Sequence, residues 1–142
     1  MIVADALQTA IFNKLNVTSV TSLLSSSYAG SAIFTDVPQS PDAELPAFFP
    51  YIVIGGDTFT PFDDKDATGS TAIVQVDIYA RSASMLPVKK IAGAVQAVLD
   101  RQELTIAGTG WIDTQLDGVD FVRDPDGLTK RGIMQFRVVY MG

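Results

Sequence analysis

Thr71–Arg101 reads TAIVQVDIYARSASMLPVKKIAGAVQAVLDR. Across this stretch the apolar period changes. Ala72, Val74, Val76, Ile78 and Ala80 share one parity, and Gln75, Asp77 and Tyr79 take the other. That is the alternation of a strand with one buried face and one face that is wet or turned to a partner. From residue 84 the apolar positions become Val88, Ile91, Ala92, Val95, Val98 and Leu99, the i, i+3, i+4, i+7 stripe of an amphipathic helix. Ser84 is placed as its N-cap. Pro87 falls in the first turn, where the missing N–H is harmless. Gly93, Ala94 and Ala97 keep another side slim for close packing against a sheet.

The segment before it is FPYIVIGGDTFTPFDDKDATGS, residues 49–70. Tyr51–Gly55 is apolar on both faces, as in a central strand. The paired glycines then end the strand, and residues 57–70 read as an exposed polar loop. At the start of the chain Val3, Leu7, Ala10, Ile11 and Lys14/Leu15 mark a helix over 2–15, with Phe12 off that stripe, at the edge of the core or in a subunit contact. Residues 18–30 read as a short helical turn ending at Gly30, with Leu23 and Leu24 tucked under the domain. Residues 32–38 read as a short strand stopped by Pro38, and 39–49 as an irregular connection.

The other flank holds two more strands, 110–122 and 132–142. Apolar parity changes between Ile112 and Leu116 on one side and Val119 and Phe121 on the other, so Asp117-Gly118 is placed as a bulge. Asp124-Pro125-Asp126-Gly127 is turn chemistry, and the two strands form a hairpin with its tip at 123–131. Met134, Phe136, Val138 and Tyr140 face one way, Gln135 and Arg137 the other. The whole predicts one α+β domain over 1–142: an antiparallel sheet of about five strands with two main helices packed on one face.

Composition narrows the chemistry. The chain has 142 residues, 47% apolar and 18% charged, which suits one globular core. It has no Cys and no His, which excludes disulfides, thiolate nucleophiles, Cys-ligated zinc and any Ser-His-Asp triad. The net charge is −6 with no basic run, against a phosphate-gripping surface. No apolar run is long enough to span a membrane. The opening MIVADALQTAIFNKLN reads as a helix rather than a signal peptide, pointing to synthesis in a cytoplasm.

Asp57, Asp63, Asp64 and Asp66 are the one acidic group that suggests a metal, but Lys65 sits among them and no Glu completes a calcium loop. They read as a solvated loop, and Ile54–Asp57 lacks the context of a phosphate loop. Gly108 and Gly110 serve a helix exit, and the lone Trp111 packs on the core or the hairpin, or else anchors an interface. Lys89, Lys90 and Arg101 fall on the wet side of the long helix. Lys130 and Arg131, near the hairpin tip, are solvated or meet an acidic partner. No metal, cofactor or catalytic residue is assigned.

DALQTAIFNKL, IFTDVPQ followed by FPYIVIG, VQVDIYARSASMLPVKKIAGAVQAVL and RGIMQFRVVY occur in this order over nearly the whole chain. Taken together they resemble the tail-completion, or tail-terminator, family of long-tailed bacteriophages, prophages and gene-transfer particles. The resemblance implies a non-enzymatic virion protein at the neck, assembled in the bacterial host cytoplasm. It implies a homo-oligomeric ring, typically a hexamer, on the head-proximal end of the tail tube. That ring stops polymerisation, meets the tail tube protein and the head-completion protein, and lets DNA pass without specific binding. A ring needs two different surfaces on each copy, and exposed strands can supply them by strand addition. Asp57, Phe59, Phe62, Asp63, Asp64, Lys65, Asp66, Lys130 and Arg131 are the expected interface residues. Two alternatives stay open: a head-side connector or stopper, and a small-ligand-binding α+β domain.

Overall fold

In a computed structural model describing residues 2–38, 46–64 and 67–142, the chain forms three α-helices and five strands. In order these are α1 (Ala4–Leu15), α2 (Thr18–Thr21), β1 (Ile33–Phe34), β2 (Tyr51–Asp64), β3 (Ala67–Arg81), α3 (Leu86–Leu99), β4 (Gly110–Arg123) and β5 (Thr129–Met141), with a 3-10 turn at Pro46–Phe48 before β2. The sheet order is β1-β2-β3-β5-β4. The long helix α3 carries the chain across β5, and β5 then returns between β3 and β4.

The α+β class and the five strands are as expected, but the sheet is mixed. β1 runs parallel to β2 through Ile33–Ile52 and Phe34–Val53. A parallel pair needs a long connection, and the stretch between Phe34 and Tyr51 supplies it. β2/β3, β3/β5 and β5/β4 are antiparallel.

Register puts the alternating residues face to face. Ala72, Val74 and Val76 of β3 stand opposite Val138, Phe136 and Met134 of β5, and all six are buried. The α3 stripe of Val88, Ile91, Ala92, Val95 and Leu99 is buried with them, as are Leu7, Ala10, Ile11 and Leu15 of α1. Each fully buried Val, Ile or Leu contributes about 1.5–3 kcal/mol, so these helical stripes hold the helices on the sheet. Phe12 packs at the edge of this core.

Several boundaries differ from the sequence reading. α3 starts at Leu86 with Met85 as its N-cap, and Ser84 lies one residue earlier, its Oγ accepting the Leu86 N–H at 3.3 Å. Of the two leucines expected under the domain, Leu24 is buried but Leu23 is 39% exposed. The bulge at Asp117 is present, and a second lies between Trp111 and Asp113. The largest difference is at 57–70. β2 and β3 continue as a paired ladder from Thr58–Ile73 to Asp64–Ala67, so this stretch is a hairpin arm rather than a loop. A kink at Gly56, whose φ is +67°, inserts one extra residue between Gly55 and Thr58, and the pairing resumes beyond it.

Candidate assembly surfaces

Antiparallel partners point to the same side of a sheet. The parity of Ala72, Val74 and Val76 faces the helices. The other parity carries Thr71, Ile73, Gln75, Asp77, Tyr79 and Arg81 of β3 opposite Val139, Arg137, Gln135, Ile133, Arg131 and Thr129 of β5. No described helix packs on this second face.

One end of it is a rail of rings and guanidinium groups. Tyr51 and Tyr79 stack with centroids 5.1 Å apart, and Phe49 lies 5.1 Å from Tyr51. Arg81 sits 4.9 Å over Phe49, and Arg131 5.1 Å over Tyr79. Arg131 also donates from Nη2 to Asp77 at 2.9 Å, and Gln75 Nε2 donates to both Asp77 oxygens at 2.9 and 3.0 Å. Asp77 is buried to 8% exposure yet fully engaged. Burial pushes the Tyr79 phenol above its ordinary range, with Arg131 opposing. Val37, Phe49, Tyr51, Tyr79, Arg81, Asp124, Asp126 and Thr129 line a shallow cleft here. Every cation in it already has an internal partner, so the cleft is a structural joint rather than a charged site. The sequence reading missed this rail, although Tyr79 and Arg81 stand on the same parity of β3 as Asp77.

Beside the rail is the hairpin turn. Asp126 Oδ1 accepts the Leu128 and Thr129 N–H groups at 2.8 Å each, and Oδ2 accepts the Thr129 hydroxyl at 2.7 Å. The Thr129 bonds hold the Asp126 carboxyl at about 2, with the Leu128 amide adding to them. Gly127 turns the chain with φ +73°.

The two edges of the sheet are unlike. β1 ends at Phe34, opposite Val53. From Gly55 to Asp64, β2 therefore has no described strand on its outer side. β4 is the other edge, and its middle is covered. Arg101 N–H donates to Thr114 O at 2.7 Å, and Leu116 N–H donates to Asp100 Oδ1 at 2.9 Å.

The expected interface residues separate on these surfaces. Asp57 is exposed at the kink. Phe59 is half-buried and packs on the core. Phe62 is 39% exposed and lies over Gly69 beside Met141. Asp63 and Asp64 are in β2, opposite Thr68 and Ala67. Lys65 and Asp66 lie outside the described residues. The two cations at the tip already have partners within the chain. Lys130 is 4% exposed on the helix-facing parity, opposite Ala80, and donates to Gly127 O at 3.1 Å. Arg131 is committed to Asp77 and Tyr79. Alternation along β5 turns one inward and the other onto the rail, so neither is a loose tip charge. Among the described residues no three carboxylates converge as metal ligands do, and no helix is long and apolar enough to cross a membrane.

Residues 9–141 match the family described as Tail completion protein gp17. The chain is 28% identical over 101 residues to the tail completion protein gp17 of Bacillus phage SPP1, covering 71% of this chain and 73% of that one. Among solved structures it is similar to a chain in the virion of a native gene transfer agent particle, with a TM-score of 0.83 at 22% identity, covering 99% of this chain and 98% of that one. It is also similar to the structure of bacteriophage SPP1 gp17, with a TM-score of 0.57 at 24% identity over 94% and 88% of the two chains. These two structural likenesses speak to the fold.

Proposed function

The chain belongs to the tail completion protein gp17 family, and from that premise we propose that it forms a ring that ends the tail tube. The chain is a structural component of a phage or gene-transfer virion and not an enzyme. In the proposed role the ring, six-fold in symmetry, sits on the head-proximal end of the tube and blocks further polymerisation. Its opposite face receives the head-completion protein.

The observation that carries this reading is the edge of β2 over Thr58–Asp64, which no described strand pairs. A ring of identical chains is built from heterologous contacts, in which one surface meets a different one on the next copy. An open strand edge is such a surface, because a second chain extends the ladder through main-chain hydrogen bonds. The two edges are unlike, since the middle of β4 is occupied by Asp100 and Arg101, so a contact from the β2 edge to a different surface of the next copy is heterologous. The net charge of −6 per chain suits a channel through which DNA slides without being held.

The test is electron microscopy of particles from a producing strain with the gene deleted. Overlong or headless tails beside filled, tailless heads would support the terminator role. Tails of normal length that fail to join heads would move the chain to the head side of the neck. Intact particles would overturn both.

A further inference from the structure

We propose that the β2–β3 arm of one copy docks on the N-terminal end of α3 in the next copy, with Phe62 entering an apolar groove there. The proposal rests on the ring reading and names the contact that would close it.

The groove lies between the exit of α2 and the first turn of α3. Leu23, Leu86, Pro87, Lys90 and Ile91 line it, and its volume is about 210 Å³. An aliphatic cavity of about 150 Å³ holds a benzene ring, so one aromatic side chain fits. Its wall is unusually open for apolar groups, with Leu86 59% and Leu23 39% exposed. Leu86 occupies the helix start because Met85, not Ser84, is the N-cap. That places a leucine on the surface where a polar residue is the ordinary choice.

Charge selects the occupant. The cations of β5 are spent inside the fold: Lys130 on Gly127, Arg131 on Asp77, and Arg137 on Gln115 and Asp117. α3 is different. It carries Lys89 and Lys90 and no acidic residue. Lys90 pairs with no described carboxylate, and Lys89 reaches only the Phe121 ring, at 5.5 Å. The complementary partner on the same chain is β2, which carries Asp57, Asp63 and Asp64 and no cation. Phe62 sits in the same strand, 39% exposed. A strand that joins an exposed aromatic residue to an excess of acidic residues in its sequence thus suits a groove with a lysine in its wall.

The two surfaces cannot meet within one copy. Phe62 is opposite Gly69, on the parity of Thr71 and Ile73 and hence on the face away from the helices. α3 packs on the other face. The contact is therefore between copies, and it is heterologous, as ring closure requires.

The chain has no cysteine, which makes disulfide trapping clean. The deletion strain is complemented with Phe62→Cys/Leu86→Cys, with each single variant and with the unaltered chain. Particles are oxidised and run without reductant, and the chain is detected with antibody. Both positions are exposed, and circular dichroism and urea midpoints of the purified variants check that they fold. The expected result is a ladder of covalent multimers reaching the full ring for the double variant, and nothing above a dimer for either single variant. Lys90→Glu should reduce incorporation into particles at least several-fold, and a normal level would count against the charge pairing. Particles that carry the double variant in rings yet yield only monomer would overturn this contact and leave the ring reading intact. Particles from the strain with the unaltered chain that contain none of it would overturn both.

Discussion

The Leu116 amide donates to the Asp100 side chain at 2.9 Å, so the C-cap residue of α3, whose own N–H closes the helix on Gln96 O at 2.9 Å, also caps an edge strand. One residue on, Arg101 takes φ +58° and gives its amide to Thr114 O at 2.7 Å. An edge strand with free amides and carbonyls invites pairing with another chain. Here the helix exit occupies those groups. Asp100→Ala should cost about 1.5–3 kcal/mol, the range for a hydrogen bond to a charged group. It should also make self-association rise with concentration. Urea unfolding gives the first number and light scattering the second. A stable variant that remains as monodisperse as the parent would mean that the bond does not guard the edge.

Arg101→Gly should act in the opposite direction. A left-handed conformation costs a side-chain-bearing residue roughly 1–2 kcal/mol, and glycine returns part of that as entropy of the unfolded chain. The expected net gain is up to about 1 kcal/mol, read as a higher urea midpoint. A loss would mean that the exposed side chain makes a contact worth more than the backbone strain.

Periodicity carried much of the fold. The parity of Ala72 to Ala80 and the stripe of Val88 to Leu99 correspond to the buried faces seen, because burial is what sets those periods. The change of parity around Asp117 located one bulge for the same reason. The polarity of 57–70 misled, because an edge hairpin with a solvated face contains the same residues as a loop. Pairing with β3 is a long-range event that local composition does not encode. The tip cations misled in another way. Whether Lys130 points inward depends on the register of β5 against β3, and a one-residue slip would exchange it with Arg131. The Tyr51–Tyr79 stack joins residues far apart in sequence, and no local spacing announces it.

Asp77 and Arg131 form the most buried ion pair among the described residues, with side chains 11% and 29% exposed. Arg131→Leu should destabilise by about 2–4 kcal/mol, because it leaves a buried carboxylate with Gln75 alone. The double variant Asp77→Leu/Arg131→Leu should lose less than the sum of the two single changes, since neither charge is then stranded. A double-mutant cycle in urea measures the difference. Additive losses would show that the pair contributes nothing as a pair.

Gly69→Ala should alter the arm without unfolding the domain. A Cβ there would come within 2.5 Å of the Phe62 ring and 2.6 Å of the Met141 sulfur. Both are ends of flexible side chains and can give way, at the low end of the about 1–3 kcal/mol that overpacking costs. Phe62 would swing off the strand, visible as displaced ring resonances in NMR. Proper melting together with reduced incorporation into particles would then connect the placement of Phe62 to assembly. Unchanged ring resonances would show that Phe62 does not rest on Gly69.

The hairpin turn should respond to pH at one carboxyl. Asp126 is held at about 2 against an ordinary value of 3.8. The fold thus favours its ionised form, which accepts from Leu128 and from both donors of Thr129. For a lowered pKa the stabilisation is complete above 3.8 and disappears as pH falls through about 2. The Leu128 and Thr129 amide resonances should therefore titrate together with a midpoint near 2. Asp126→Asn keeps one acceptor oxygen and cannot ionise, so that transition should vanish. A midpoint near 3.8 in the parent chain would show that the carboxylate does not hold the turn. The Asp124 amide, which donates across the turn to Thr129 O at 2.9 Å, is the internal reference. It should shift with the others only if loss of the Asp126 charge opens the hairpin itself.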